Sequence, residues 1–191
     1  THTEAVGEYY IETIIYDPVH NRVLFANPYN IYSFKIASKT VETLLTITNG
    51  SVCSITYDPA TETLFWTNDC EAIYSILLKS GCDNRVNEKQ LFLSDNTFHD
   101  MTVDICGGFI HWISGDNNIQ RARFDGSDKE VLTGSVSFDF INIDQQTQKM
   151  YWYDNERKSI KCSDLNGKNA REVHHVLRPR VDNESQQLTF S

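Results

Sequence analysis

Apolar and polar positions alternate along this chain in short runs, and the runs recur at a fixed register. Four of them close on an aspartate: Ile14-Ile15-Tyr16-Asp17, Ile55-Thr56-Tyr57-Asp58, Met101-Thr102-Val103-Asp104 and Ile141-Asn142-Ile143-Asp144. The intervals between these aspartates are 41, 46 and 40 residues. Six residues after each comes an aliphatic residue or Met (Val23, Leu64, Ile110, Met150), and eight after it a large aromatic (Phe25, Trp66, Trp112, Trp152). Residues three and one before the aspartate share a face, as do residues six and eight after it. Period two predicts half-buried strands with about four residues of turn between the first and the second. A third strand is predicted at Ile31-Tyr32-Ser33, Ile73-Tyr74-Ser75, Ile119-Gln120-Arg121 and Ile160-Lys161-Cys162. Asp125-Gly126 and Asn166-Gly167 then read as two-residue hairpin turns. A fourth, less regular strand follows near residues 41–45, 91–93, 131–132 and 171–173. No window of helical length carries a competing 3.6-residue period.

A four-stranded antiparallel unit of about 40 residues repeated in tandem predicts an all-β fold, a β-propeller. A β-sandwich is the alternative, and the constant internal register weighs against it. The blades fall near 12–47, 53–95, 99–134 and 139–175, with a further one opening at 179–191, where Val181-Asp182 is followed at the same offsets by Leu188 and Phe190. Residues 1–11, with Tyr9 and Tyr10, read as the outer strand of a preceding blade. The whole is one partial propeller domain.

The aromatic segments read Leu24-Phe25-Ala26-Asn27, Phe65-Trp66-Thr67-Asn68, His111-Trp112-Ile113-Ser114 and Tyr151-Trp152-Tyr153-Asp154. Together with Ile119-Gln120-Arg121 and Phe124-Asp125-Gly126, this pattern resembles the YWTD repeat of low-density-lipoprotein-receptor class B. The resemblance spans about residues 12–191; the first copy departs from it in lacking Trp and Thr in its tetrapeptide. It implies a six-bladed propeller of the kind found in receptor ectodomains, basement-membrane proteins and growth-factor precursors. Six such blades need roughly 240 residues. This chain therefore reads as a piece of a propeller, its remaining blades supplied by the same parent protein or by another chain.

Composition narrows the function. The chain has 191 residues and a formal net charge of −9, which argues against a nucleic-acid partner. No run is long and apolar enough to span a membrane, so no direct membrane insertion is expected. The chain opens at Thr1 without a basic-then-apolar leader and is read as processed or excised. Five scattered cysteines without CxxC spacing disfavour a zinc site. With the sequons Asn49-Gly50-Ser51 and Asn183-Glu184-Ser185, they point to the secretory route, extracellular or on a membrane protein's ectodomain. Five free thiols in a cytosolic protein are the alternative.

No nucleophile elbow, P-loop or dinucleotide fingerprint is present, and no cofactor is expected. A secreted calcium-dependent propeller hydrolase remains the rival reading. It would need oxygen ligands converging on the central channel, where Glu12, Cys53, His99, Asp100 and Asp139 are the candidates. They are chemically heterogeneous, and a non-catalytic, protein-binding or spacer module is the preferred reading. Phe25 and the three Trp residues read as inter-blade core, and Asp17, Asp58, Asp104 and Asp144 as turn caps. His111 reads as packing and His174-His175 as a solvated loop pair, with a pH-switch role weighed for each.

Loops from the second to the third strand, at 27–30, 68–72, 114–118 and 154–159, vary most between copies. Tyr29, Glu71, Asp116, Asn117, Glu156 and Arg157 lie there, a mostly acidic rim suited to a basic protein ligand. Propeller geometry also places Cys53 and Cys70 at the open end of one hairpin. Cys82 and Cys106 fall in loops of adjacent blades on the opposite face. The predicted disulfides are Cys53–Cys70 and Cys82–Cys106, with Cys162 left as a buried thiol or paired outside this chain.

Overall fold

The computed structural model describes residues 10–78, 89–93, 97–134, 138–175, 180–181 and 188–189. Four four-stranded antiparallel sheets, the blades of a β-propeller, account for most of them. Blade 1 comprises β1 (Thr13–Asp17), β2 (Arg22–Asn27), β3 (Asn30–Lys35) and β4 (Thr40–Thr46). Blade 2 comprises β5 (Val52–Asp58), β6 (Thr63–Asn68), β7 (Ala72–Leu77) and β8 (Lys89–Leu93). Blade 3 comprises β9 (Phe98–Asp104), β10 (Phe109–Ser114), β11 (Ile119–Arg123) and β12 (Glu130–Thr133). Blade 4 comprises β13 (Phe138–Asp144), β14 (Lys149–Asp154), β15 (Ser159–Asp164) and β16 (Arg171–His175). A two-stranded hairpin of β17 (Arg180–Val181) and β18 (Leu188–Thr189) follows. No described residue is helical.

The register is the one the alternation predicts. Ile14 pairs with Phe25, Ile55 with Trp66, Met101 with Trp112 and Ile141 with Trp152. Tyr16 pairs with Val23, Tyr57 with Leu64, Val103 with Ile110 and Ile143 with Met150. Val181 against Leu188 repeats the second set in β17–β18. The three inner strands after β1 are bulged, at residues 52–55, 98–101 and 138–141.

Core forms between blades. Leu24, Ala26, Ile31 and Leu45 of blade 1 meet Ile55, Tyr57, Leu64 and Trp66 of blade 2. Phe65 and Ile73 of blade 2 meet Met101, Val103, Ile110 and Trp112 of blade 3. Ile113 and Ile119 of blade 3 meet Ile141, Ile143, Met150 and Trp152 of blade 4. The three Trp residues are buried as expected, whereas Phe25 is half-buried.

Each first turn is capped by its aspartate. Asp17 Oδ1 accepts from the Val19 and His20 amides, Asp58 Oδ1 from Ala60, Asp104 Oδ1 from Gly107, and Asp144 Oδ1 from Gln146 and Thr147. Asp17, Asp58 and Asp104 are buried, so the carboxylate replaces water for amides the turn leaves unpaired.

The turns after the third strands differ from expectation. Asp125-Gly126 and Asn166-Gly167 do not form two-residue hairpins; six residues separate β11 from β12, and six separate β15 from β16. Gly126 and Gly167 have positive φ, +90° and +77°, while Asp125 and Asn166 do not. Room is the reason for glycine. A Cβ on Gly126 would lie 3.0 Å from the Leu91 carbonyl oxygen, and one on Gly167 would lie 2.5 Å from that of Leu132. The longer loops reach back to the preceding blade. Phe124 packs on Phe65 with centroids 5.1 Å apart, and the Leu165 carbonyl accepts from His111 Nε2 and Arg121 Nη1, each at 3.1 Å.

His174 and His175 also differ, since they lie in β16 and not in a loop, paired opposite Ile160 and Ser159. The strand proposed for residues 1–11 falls mostly outside the described residues; Tyr10 and Ile11 are exposed and not in a strand.

Candidate partner-binding face

Four turns, between β2 and β3, β6 and β7, β10 and β11, and β14 and β15, stand at one end of the molecule. Each follows the strand whose last residues pair with the beginning of the inner strand: Ala26 with Thr13, Asn68 with Val52, Ser114 with Phe98 and Asp154 with Phe138. The inner-strand starts are held together by Asp100. Its Oδ1 accepts from Ser54 Oγ at 3.2 Å and from the Met101 amide at 2.9 Å. Its Oδ2 accepts the Ile141 amide at 3.0 Å, so one carboxylate ties blade 3 to blades 2 and 4. Burial pushes the Asp100 pKa up from the ordinary carboxylate value, and these three donors only partly offset it.

Backbone amides of these turns are satisfied locally. Asn27 Oδ1 accepts from the Tyr29 and Asn30 amides, and Asp154 Oδ1 from Glu156 and Arg157. Asp154 is fully buried, and its Oδ2 lies 2.6 Å from Lys161 Nζ. Burial would raise its pKa, but Lys161 and the turn amides outweigh that and hold it below the ordinary value. In blade 2 the turn has positive φ at both central residues, Asp69 and Cys70, and closes with the Glu71 amide donating to the Asn68 carbonyl. Three residues, Asp69, Cys70 and Glu71, separate β6 from β7, and Asn68 pairs with Ala72. Cys70 in this turn and Cys53 near the start of β5 form the expected disulfide, with Cα atoms 5.7 Å apart.

Tyr29, Glu71, Asp116, Asn117, Glu156 and Arg157 are all exposed on these four turns. Asp69 joins them, exposed beside Glu71 and bonded by Oδ1 to the Ser51 amide and hydroxyl. Sequence reasoning passed over it, because without a glycine nothing marks residue 69 as the apex of a tight turn. In blades 1 to 3 the exposed charged residues of these turns, Asp69, Glu71 and Asp116, are all acidic. Blade 4 adds Glu156 together with Arg157 and Lys158.

The residues weighed as calcium ligands are otherwise engaged or apart. Cys53 is in the disulfide, Asp100 holds three donors, and Glu12 and His99 are exposed. The Asp139 side chain lies outside the described residues. Among the described residues no three His, Cys, Asp or Glu side chains group to hold a metal.

Cys162 is buried and bridges to no described residue. Cys106 is exposed and bridges to no described residue; its expected partner Cys82, like Asn183, lies outside them. On the opposite face an open cleft of about 560 Å³ runs between the turns of blades 3 and 4, past Asp104, Arg121, Lys149 and Asp164. Its cations are already paired, Arg121 with Glu130 and Lys149 with Asp164.

The architecture defines the chain as a segment of a β-propeller. No protein-family model matches it. It is similar to a chain in the crystal structure of a nidogen/laminin complex, with a TM-score of 0.69 and 23% identity, covering 79% of this chain and 60% of that one. Among curated proteins it is similar to protein cueball of Drosophila yakuba, 26% identical over 176 residues, which is 82% of this chain. The chain spans about a quarter of that relative's length, the matched part being 27%.

Proposed function

We propose that this chain is an extracellular, non-catalytic segment of a YWTD-type propeller whose four-turn face binds a basic protein partner. The observation that carries the reading is the charge of that face. Asp69, Glu71, Asp116 and Glu156 are exposed there against two cations, Arg157 and Lys158, both in blade 4, so the acidic excess lies on blades 2 and 3. A preorganised acidic surface raises the association rate of a cationic partner and loses little entropy on binding. The disulfide supports an oxidising compartment. A similar propeller fold occurs in the nidogen/laminin complex, and this supports a protein partner here.

Further blades, of the same parent protein or of another chain, complete the ring. Blade 1 turns outward the positions that other blades bury on their predecessor: Ile14 is 64% and Tyr16 57% exposed, against 1% and 6% for Ile55 and Tyr57.

The test is charge reversal. A partner captured from extracellular fractions by the wild-type chain is identified by mass spectrometry, purified, and titrated against a Glu71→Lys/Asp116→Lys double variant. Binding should weaken about tenfold or more, mostly through a slower, less salt-sensitive association rate, with the melting temperature unchanged. Unchanged binding by the folded variant moves the site to another face.

A further inference from the structure

We infer that Asn49 carries an N-linked glycan and that this glycan screens the blade 2 sector of the acidic face. The inference rests on the extracellular, partner-binding reading above. Asn49-Gly50-Ser51 lies in the connection between β4 and β5. Two of its three residues have a structural reason to be what they are. Gly50 has φ +92°, and a Cβ there would sit 2.4 Å from Asp69 Oδ2 and 2.6 Å from Asn68 Oδ1. Ser51 gives its amide and its hydroxyl to Asp69 Oδ1, at 2.7 and 3.1 Å. Asn49 has no such role. It is exposed, and its side-chain amide bonds to no described group; only its carbonyl is used, by Asn68 Nδ2 at 2.9 Å. An exposed side-chain amide with no described partner, on a bend two residues before a hydroxyl, leaves room for a bulky solvated substituent.

The chemistry needs a donor of one class, a lipid-pyrophosphate-linked oligosaccharide. The Asn49 amide nitrogen bonds to the anomeric carbon as the carbon–oxygen bond to pyrophosphate breaks. The amide loses one proton, the lipid pyrophosphate leaves, and nothing is oxidised or reduced.

Position gives the glycan a consequence. Asn68 is bonded to both neighbours: its Nδ2 to the Asn49 carbonyl, and its own carbonyl to the Glu71 amide at 3.0 Å. A glycan on Asn49 therefore stands beside Asp69 and Glu71, while Asp116 belongs to the next blade. The acidic residue left open to the partner is Asp116 in blade 3.

The chain is secreted from a eukaryotic host as wild type, Asn49→Gln and Ser51→Thr. Peptide mass mapping before and after glycosidase treatment reads occupancy, and the untreated digest separates glycan removal from spontaneous deamidation at Asn49-Gly50. The wild type and Ser51→Thr should carry the glycan, and Asn49→Gln should lose it. An unmodified residue 49 in the secreted, folded wild type overturns the proposal. Carboxylate labelling with a water-soluble carbodiimide and a small amine reads the screening. Glu71 should label several-fold faster in Asn49→Gln than in the glycosylated chain, with Asp116 unchanged; equal Glu71 rates overturn the screening. Neither readout uses a partner, so failure here and failure of the binding reading are separately visible.

Discussion

Acidification should loosen the contact between blades 3 and 4 through one buried imidazole. His111 is fully buried on β10, at the register position that Phe65 holds in blade 2. Its Nε2 donates to the Leu165 carbonyl of blade 4, which leaves Nδ1 as a buried acceptor without a partner among the described residues. Burial lowers the His111 pKa from 6.5 to about 4. Leu165 opposes that, Arg121 adds to it, and Asp104 and Glu130 oppose it weakly. The folded chain thus keeps the ring neutral while the unfolded chain binds a proton. The stability it confers is complete above about pH 7 and falls as pH drops from 6.5 toward 4. A depression from 6.5 to about 4 is worth about 3 kcal/mol when fully expressed, and about 2 kcal/mol at pH 5. The comparison is His111→Phe, the residue type blade 2 carries at this register position in Phe65; Arg121 Nη1 still satisfies the Leu165 carbonyl. Urea unfolding of both chains from pH 8 to pH 5 gives two stability curves, and their difference removes every other titrating group. Wild type should lose about 2 kcal/mol more than the variant across that range. A flat difference, or an imidazole NMR titration in the folded chain with its midpoint near 6.5, refutes the reasoning.

Two stability predictions rest on other contacts. Replacing both half-cystines, Cys53→Ala with Cys70→Ala, should cost about 3 kcal/mol, because the bridge closes a loop between residues 17 apart. Calorimetry of the double variant should show that loss, and a melting temperature equal to wild type would mean that the hairpin needs no bridge. Gly167→Ala and Gly108→Ala both force alanine into positive φ, +77° and +71°, but only at Gly167 does a Cβ meet backbone. Gly108→Ala should cost about 1 kcal/mol from conformation alone, and Gly167→Ala about 2 kcal/mol or more. Equal costs by urea denaturation would remove the close inter-blade approach as the reason for glycine.

What could be read in the sequence was whatever repeats. Alternation about Asp17, Asp58, Asp104 and Asp144 located the strands, their pairing and the capping role of the aspartates, down to Val181 opposite Leu188. The Cys53–Cys70 bridge followed from the same register. Features set by contact between blades left no local trace. Asp100 joins Ser54 and Ile141, 46 and 41 residues away, and no spacing rule foretells such a pin. The turns at Gly126 and Gly167 looked like two-residue hairpins because Asp-Gly and Asn-Gly suit them. Their true length comes from the need to carry Phe124 and Leu165 back to the preceding blade. The acidic face was half legible, since loop variability marked the turns but not the place of Asp69 at an apex.

The repeat is a record of the assembled propeller and not of local exposure. Ile14 and Ile55 stand three residues before their aspartates, yet one is 64% exposed and the other 1%. Local hydropathy cannot tell them apart, because each blade carries the same apolar stripe whether or not a described neighbour covers it. Phe25 shows the same effect: Tyr32 stacks on it at 5.0 Å, as Tyr74 stacks on Trp66 at 5.5 Å, but with no described blade behind it Phe25 is only half-buried. The aromatic stack is thus built within blade 1 itself, from β2 and β3, and Ile14, Tyr16 and Val41 remain exposed.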